Sequence, residues 1–300
     1  MVYNDYDKNK KCLKGRKDMV TIKNSEICVV VSKKGAEIQS IKRGGVEYMW
    51  SKDPAFWNQC APIMFPICGG LKNGRYELDG KSYEMPKHGF AKTSDFEVEC
   101  ANDTSVTFIL RANDETRKMY PFEFAFRVKF ELDGASLKVT YDAENLDSKT
   151  MYCTLGCHEG YACPEGIEAY ELVFPEKETL YAYALNGDIL TDYTKLMMND
   201  SNRLVLKDKD FALDALVFRG IKNNSVTLRS NVSDRRVKVE FDGFENLVVW
   251  HKYSAPYICI EPWCGVSDLS GSSYSFIEKD GMHAIPVGQH FARTHTITVG

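Results

Sequence analysis

The chain has 300 residues, with 38 basic and 42 acidic side chains and a formal net charge of −4. Hydrophobic residues make up 44% and charged residues 27%, which is ordinary for a globular protein and excludes a disordered chain. The acidic balance argues against DNA or RNA as a partner, because phosphate binding needs a basic surface. No apolar run approaches the roughly 20 residues that span a bilayer, and the N-terminus lacks the apolar core of a secretory signal. We therefore expect a cytoplasmic protein that does not bind membranes.

The first eighteen residues differ in composition from the rest of the chain. They contain six basic and three acidic residues and show almost no apolar periodicity. We therefore expect residues 1–18 to form a basic, solvated N-terminal extension. No Gly/Ser linker and no shift in composition interrupts residues 19–300, which are predicted to form a single domain.

Short β-branched and aromatic runs alternate with turn residues from Met19 onward. The predicted strands, in chain order, are 20–23, 27–32, 37–42, 46–50, 75–78, 81–83, 105–110, 123–130, 136–141, 215–218, 226–229, 237–241, 247–250, 257–260 and 290–299. Asp79-Gly80 and Asp133-Gly134 predict tight hairpins, because type I′ turns require positive φ at both central residues. The run 123–130 alternates strictly and places Phe and Val on one face, with charged residues on the other.

Convincing helical periodicity is nearly absent. The candidates are one-turn pieces such as 192–198. Many short strands separated by turn signals are typical of an all-β sandwich or barrel, which is the fold class that the sequence predicts.

Three regions do not follow the strand pattern and are rich in Gly, Pro, aromatic and polar residues. They are 57–70 continuing to 86–91, then 155–164, and finally 259–268. In β folds, binding and catalytic residues usually lie on loops that a rigid scaffold positions. These regions are therefore the candidate functional segments.

Two histidines and one carboxylate lie within these segments. His88, His158 and Glu261 are embedded among Gly, Pro and aromatic residues, as in a pocket that holds a general acid and a general base. Each of them, taken alone, also fits an ordinary structural role. The remaining histidines are weaker candidates, and no His or Cys pair has the spacing of metal ligands, so the sequence predicts no metal site.

The order of several short motifs carries a family resemblance. The motifs are 35–41, Trp57-Asn58, 61–66, 80–91, Gly156-Cys157-His158, 214–218 and Glu261-Pro262-Trp263. In this order they resemble the aldose 1-epimerase (mutarotase) family, most closely its LacX-like bacterial branch. The resemblance covers about residues 19–300.

The resemblance implies a β-supersandwich of large antiparallel sheets with a sugar pocket on a concave face. It also implies a cofactor-free reaction that interconverts the α and β anomers of a free aldose. By position, His158 corresponds to the general acid and Glu261 to the general base, while His88 holds the ring-oxygen side of the sugar. The other predicted sugar-binding residues are Asp214, Asn58, Trp263, Lys72 and Arg75.

One departure from the family pattern leaves alternatives open. Gly70 stands where the family usually has an arginine that contacts the sugar, and Lys72 or Arg75 is the available substitute. One alternative is a non-catalytic carbohydrate-binding or sensor protein on the same fold. Another is a mutarotase for hexose phosphates, with Lys87 and Lys92 joining the basic cluster. A third is a hydrolase or lyase on a related sandwich. The expected partner is a small sugar, and the chain is expected to be a monomer or a homodimer.

Overall fold

The computed structural model describes residues 18–212 and 214–300, of which 54% is strand and 7% helix. The prediction of an all-β protein with large antiparallel sheets and very little helix is therefore confirmed. The predicted N-terminal extension lies outside the described residues, apart from Asp18. In the described part of the chain, no helix is long and apolar enough to cross a lipid bilayer.

Twenty-three strands account for most of the regular secondary structure of the described chain. In chain order they are β1 (Met19–Lys23), β2 (Ile27–Ser32), β3 (Ile38–Arg43), β4 (Val46–Glu47), β5 (Ile63–Met64), β6 (Arg75–Leu78), β7 (Lys81–Glu84), β8 (Glu97–Ala101), β9 (Ser105–Arg111), β10 (Phe124–Asp133), β11 (Ser136–Asn145), β12 (Met151–Cys153), β13 (Gly156–Cys157), β14 (Glu159–Ala162), β15 (Tyr170–Asn186), β16 (Ile189–Val205), β17 (Leu216–Arg219), β18 (Ser225–Ser230), β19 (Arg236–Glu240), β20 (Asn246–Trp250), β21 (Tyr257–Trp263), β22 (His283–Ile285) and β23 (His290–Val299). One helix, α1 (Asp114–Met119), and four short 3-10 turns complete the described structure; the turns are Lys72–Gly74, Ala91–Thr93, Ile167–Ala169 and Asp208–Phe211.

Fifteen strands form one continuous antiparallel sheet. Its order is β5-β13-β21-β20-β17-β15-β18-β19-β23-β11-β10-β9-β8, with β14 also paired to β21 and β16 to β15. A second sheet contains β1 to β4, and two small ladders join β12 to β22 and β6 to β7. A single large cluster of buried apolar residues includes members from Ile22 to Val299. A core of this extent is what a single domain over 19–300 requires, and that division stays a prediction.

The alternating pattern of β10 determines which of its side chains enter the core. Phe124, Phe126, Val128 and Phe130 are at most 1% exposed, whereas the charged residues between them are partly exposed. The predicted two-faced strand is therefore confirmed. The ring of Phe126 stacks on Phe65 at 4.1 Å between centroids, so this face packs against the segment that leads to the candidate site.

The two predicted Asp-Gly hairpins differ in their turns. Asp79 and Gly80 have φ values of 50° and 70°, as a type I′ turn requires. At the second hairpin, Asp133 still pairs with Ser136, and only Gly134 of the pair has positive φ. The second turn therefore begins one residue later than predicted.

The predicted helical piece at 192–198 is wrong, because these residues lie within strand β16 and pair with β15. The observed helix, α1, carries a local signal that the sequence analysis missed. The side chain of Asn113 accepts hydrogen bonds from the N–H groups of Glu115 and Thr116, and Thr116 Oγ1 accepts one from the Asn113 N–H. This capping box satisfies free donors at the start of the helix.

The 17-residue strands β15 and β16 form a long hairpin that reaches the candidate site. Its tip is anchored because the Leu190 N–H donates to the Asp268 carbonyl and the Leu190 carbonyl accepts from the Ser270 N–H, both at 2.9 Å. Leu185 and Leu190 consequently line one side of the cavity described below.

Candidate functional site

The site is a cavity of about 810 Å³ above the central strands of the large sheet. Its floor follows from strand register, since directly paired residues of antiparallel strands project to the same face. Val248 on β20 pairs with Val217 on β17 and with Glu261 on β21, and all three line the cavity. Glu261 was predicted to follow a strand; it lies inside β21 and therefore has a rigid support.

His158 joins β13 to β14 and faces Glu261 across the cavity floor. The predicted loop 155–164 thus contains two short strands, which position the imidazole. His158 Nδ1 and Glu261 Oε1 are 3.4 Å apart, and neither atom has a hydrogen-bond partner among the described residues. The second carboxylate oxygen accepts a hydrogen bond from Trp263 Nε1 at 3.2 Å. The pair therefore places one carboxylate oxygen and one ring nitrogen, both without a hydrogen-bond partner among the described residues, at contact distance.

Burial acts on this pair in opposite directions. It raises the pKa of Glu261 well above its ordinary value; the hydrogen bond from Trp263 opposes this effect, and the charge of Glu159 adds to it. Burial also lowers the pKa of His158 to about 3. In the free cavity, burial therefore favours the neutral form of both side chains, a protonated Glu261 and an uncharged imidazole. The roles predicted for the pair require the reverse, an imidazolium and a carboxylate.

His88 occupies a tight turn at the cavity wall with φ of +67°, and its side chain is buried. Its Nδ1 accepts a hydrogen bond from the Gly69 N–H at 3.1 Å, so the ring hydrogen of the neutral tautomer is on Nε2. Burial lowers the pKa of His88 well below the ordinary value, and the neighbouring His158 contributes. The two imidazoles meet edge to face at 5.9 Å between centroids. His88 is thus a neutral donor beside His158 and Glu261.

Tryptophan rings form the walls around His158. The ring of Trp57 is tilted by 30° from the imidazole plane at 5.0 Å between centroids, and Trp250 contacts the imidazole edge-on at 5.5 Å. Trp263 packs against His88 at 5.4 Å. Flat apolar walls with a few convergent polar groups are typical of small-molecule sites and suit the apolar face of a sugar ring.

The rim of the cavity carries charged groups. Asp214 lines it, as predicted for a sugar-binding residue, and is exposed. Lys87 and Lys92 also line it. Lys87 forms a 2.7 Å ion pair with Asp188, whereas Lys92 has no ion-pair partner among the described residues. Burial lowers the pKa of Lys92, and the charge of Lys87 adds to this.

Three of the predicted sugar-binding residues are not among the residues that line the cavity. Asn58 is exposed, and its neighbour Gln59 lines the cavity instead. Lys72 and Arg75 lie against the ring of Tyr274, at 5.3 and 4.6 Å from its centroid. Neither is therefore placed to substitute for the arginine that is absent at position 70.

Several lining residues were not predicted from the sequence. These include Gln59, Trp250, Lys252 and Tyr253, while His251 was among the weaker histidine candidates. Trp250 ends β20 and residues 251–253 follow it, so a polar and aromatic group at a strand end was an available signal. His251 is a structural member of this group, because its two ring nitrogens contact the Tyr257 carbonyl and Asp208.

Three groups of side chains in the described residues have possible metal-ligand atoms within 4.8 Å of one another. They are His158 with Cys259 and Glu261; Cys157 with Glu159 and His295; and Glu245 with Cys264 and His283. The sequence predicted none of them, because the members of each group come together only in the fold. A cation in the first group would replace the proton that His158 and Glu261 share.

Comparison with known proteins decides the family. A sequence profile described as Aldose 1-epimerase matches residues 18–270. The chain belongs to the aldose 1-epimerase family. It is 35% identical over 264 residues to "Protein LacX, chromosomal" of Lactococcus lactis subsp. lactis, which covers 83% of this chain and 88% of that protein. The predicted resemblance to this family and to its LacX-like branch is therefore confirmed.

Solved structures of similar proteins share the fold. A galactose mutarotase related enzyme from Lactobacillus acidophilus is 35% identical, with a TM-score of 0.90 over 94% of this chain and 97% of that one. A galactose mutarotase-like protein from Lactobacillus casei ATCC 334 is 29% identical, with a TM-score of 0.89 over 94% of this chain and 100% of that one.

In this member of the aldose 1-epimerase family, position 70 has no room for a side chain. A Cβ at Gly70 would lie 2.6 Å from the Cβ of Asp188 and 2.8 Å from its carbonyl oxygen. Asp188 belongs to the tip of the β15–β16 hairpin. The hairpin tip thus fills the space that an arginine side chain would need.

Proposed function

We propose that this protein is an aldose 1-epimerase-type isomerase that interconverts the α and β anomers of a free aldose by acid–base ring opening. The observation that carries the proposal is the pairing of His158 with Glu261 at 3.4 Å, in a cavity with tryptophan walls. Membership of the family supports the class of reaction. Anomer exchange needs one group to remove a proton and another to return one, and this pair offers both.

The pair carries one proton in the free cavity, and the proposed reaction conserves it. As sugar hydroxyls donate hydrogen bonds to Glu261, they stabilise its carboxylate, and the proton passes to His158 over the short contact. Glu261 then removes the proton from the anomeric O1 hydroxyl while His158 protonates the ring oxygen. The ring opens to an aldehyde, the C1–C2 bond rotates, and closure reverses both transfers.

The other lining residues orient the sugar in this proposal. His88 donates from Nε2 to an oxygen near the ring-oxygen side, and Asp214 accepts from a hydroxyl at the rim. Trp263 supports Glu261 through its indole N–H. The reaction needs no cofactor, because both proton carriers are side chains. The partner is a small sugar, and a cytoplasmic location belongs to the same proposal.

The test follows the approach to anomeric equilibrium from pure α-glucose, α-galactose and a pentose. We expect native protein to accelerate it, and Glu261→Gln and His158→Ala each to lower the catalysed rate by about 10²–10⁴-fold. His290→Ala, which removes an exposed histidine paired with Asp142, is the matched control and should keep full activity. Sugar binding without acceleration would favour the non-catalytic alternative.

A second candidate is a mutarotase for phosphorylated hexoses, and the unpaired ammonium of Lys92 at the rim favours it. The test compares kcat/KM for glucose and glucose 6-phosphate. If phosphate is recognised, Lys92→Met should lower kcat/KM for the phosphorylated sugar about tenfold and leave that for glucose unchanged. Equal values for the two sugars in the native protein would reject this candidate.

A further inference from the structure

A second polar cluster lies behind the cavity floor, on the core side of the strands that carry His158. Because side chains alternate along a strand, Cys157, Glu159 and Tyr161 project away from the cavity. His295 on β23 reaches the same place from the far part of the sheet, and its Nε2 lies 3.2 Å from Glu159 Oε1. The side chains of Glu159 and His295 are 2% and 0% exposed.

This cluster contains an unusual number of polar atoms without partners. Glu159 Oε2, the Tyr161 hydroxyl and both ring nitrogens of His295 are buried and have no hydrogen-bond partner among the described residues. Leaving such atoms without partners is unfavourable, because each has lost its hydrogen bonds to water and gains none within the protein. Buried polar groups of this kind call for a bound species that satisfies them.

The free donors define the chemistry of that species. A thiol, a carboxylate and an imidazole have their ligand atoms within 4.8 Å of one another in this cluster, and all three residues are buried. We propose that Cys157, Glu159 and His295 bind a divalent transition-metal ion of the zinc type. A thiolate, a carboxylate and a neutral imidazole around a divalent cation give a site with no net charge, which suits the core.

The ligand types select the ion. Thiolate and imidazole favour zinc and its neighbours, whereas magnesium and calcium prefer oxygen ligands. The Cys157 thiol contacts the Pro262 carbonyl at 3.7 Å, and its proton leaves for solvent as the sulfur–metal bond forms. All three ligand residues are buried, so the site is closed to solvent.

The ion would stabilise the fold and would take no part in the reaction. Cys157 and Glu159 flank His158, so the metal would tie the backbone on both sides of this imidazole to β23. The other two ligand groups differ. One shares His158 and Glu261 with the cavity, and the third contains an exposed glutamate, Glu245.

The experiment measures metal content of the tag-free full-length chain, purified without chelators. We expect about one equivalent of zinc per chain. Cys157→Ser should abolish it, whereas Cys259→Ser and Cys264→Ser, which remove buried free thiols from the other two groups, should retain it. Refolding the native chain with Co²⁺ should give a thiolate-to-cobalt charge-transfer band, which persists in Cys259→Ser and Cys264→Ser.

Metal content and the cobalt band are measured without substrate, so their result is independent of whether the proposed function is correct. If Cys157→Ser does not fold, the cobalt band of the two control variants still assigns the thiolate, and His295→Gln tests a second ligand. The proposal is overturned if the native chain has no transition metal and no cobalt–thiolate band. It is also overturned if metal is lost in Cys259→Ser or Cys264→Ser but kept in Cys157→Ser.

Discussion

The ammonium of Lys279 lies 2.9 Å from the carboxylate of Asp268, and both side chains are buried beside the segment that carries Gly70. Lys279 also donates to the Val266 carbonyl at 2.7 Å. The second oxygen of Asp268 accepts from the Lys72 N–H at 2.8 Å, and its own N–H donates to the Gly70 carbonyl. This pair therefore fixes the backbone around position 70, and it holds the backbone of Lys72 outside the cavity lining.

Removing one partner of this pair should be strongly destabilising. Lys279→Met leaves the carboxylate of Asp268 buried without a countercharge, so we expect a loss of about 3–5 kcal/mol in the free energy of unfolding. The double variant Lys279→Met/Asp268→Asn removes both charges and should recover much of the loss. Denaturant unfolding measures both, with Lys118→Met, from an exposed ion pair, as the control without measurable change. Equal losses in the single and double variants would contradict this account.

The close approach of Gly70 to Asp188 predicts that even one methyl group is too large. Gly70→Ala should lower the free energy of unfolding by about 1–3 kcal/mol, because the hairpin tip must shift. Gly271→Ala is the matched control, since its Cβ would meet no atom within 4 Å and its φ is not positive. Denaturant unfolding compares them. Equal stability of the two variants would show that the tip moves freely and that an arginine at position 70 could be accommodated.

The two ring nitrogens of His88 have different partners, so a substitution can distinguish the structural contribution of Nδ1 from the proposed sugar contact of Nε2. The oxygen of His88→Asn can still accept from the Gly69 N–H, and asparagine tolerates the positive φ of this position. We expect this variant to fold with near-native stability but to lose about tenfold in kcat/KM, because the Nε2 donor is gone. His88→Ala should lose stability as well. Native kcat/KM in His88→Asn would exclude a role for Nε2.

The pKa shift of Glu261 predicts a pH-dependent stability difference. Its folded-state pKa lies above the unfolded value of 4.5, so the folded state binds the proton more tightly, and stability falls as pH rises above 4.5. Glu261→Gln does not titrate and should be more stable than native protein at pH 8, where the native carboxyl has lost the stabilisation that its folded-state proton provides. The difference should vanish below pH 4.5. Thermal unfolding across this range measures it, with Glu97→Gln, at an exposed position, as the control. A difference that does not change with pH would contradict the buried, protonated carboxyl.

The pH dependence of kcat/KM tests the lowered pKa of His158. The proposed reaction needs one proton on the pair, and a second proton binds the imidazole of the free protein only near pH 3, where its pKa lies. We therefore expect kcat/KM to show no acid limb near 6.5, the ordinary histidine value, and to lose no activity to protonation of His158 down to about pH 5. Rates of uncatalysed anomer exchange at each pH are subtracted. A loss of activity at low pH centred near 6.5 would show that burial does not lower the pKa of His158 in the free protein.

Local patterns predicted the all-β class and fifteen of the 23 strands of the described chain, since period-2 alternation and turn residues act over a few positions. They did not predict β15 and β16, the two longest strands. They also singled out His158, Glu261 and His88, which lie in segments rich in Gly, Pro and aromatic residues. The register of the ladders places Glu261 opposite Val248, and this long-range pairing turned three separate segments into one cavity. Residues 192–198 were read as helical because short apolar spacing is ambiguous, and pairing with β15 decided their state.

By itself, the sequence determined the fold class and the family, and it singled out the residues that we propose as acid and base. Only the tertiary structure decided which charged groups reach the cavity, since burial and partners depend on contacts between distant segments. Lys87 and Lys92 line it, whereas Lys72 and Arg75 lie against Tyr274. The pKa shifts of His158 and Glu261 were likewise decided by the tertiary structure, because desolvation depends on the assembled core and not on any single segment.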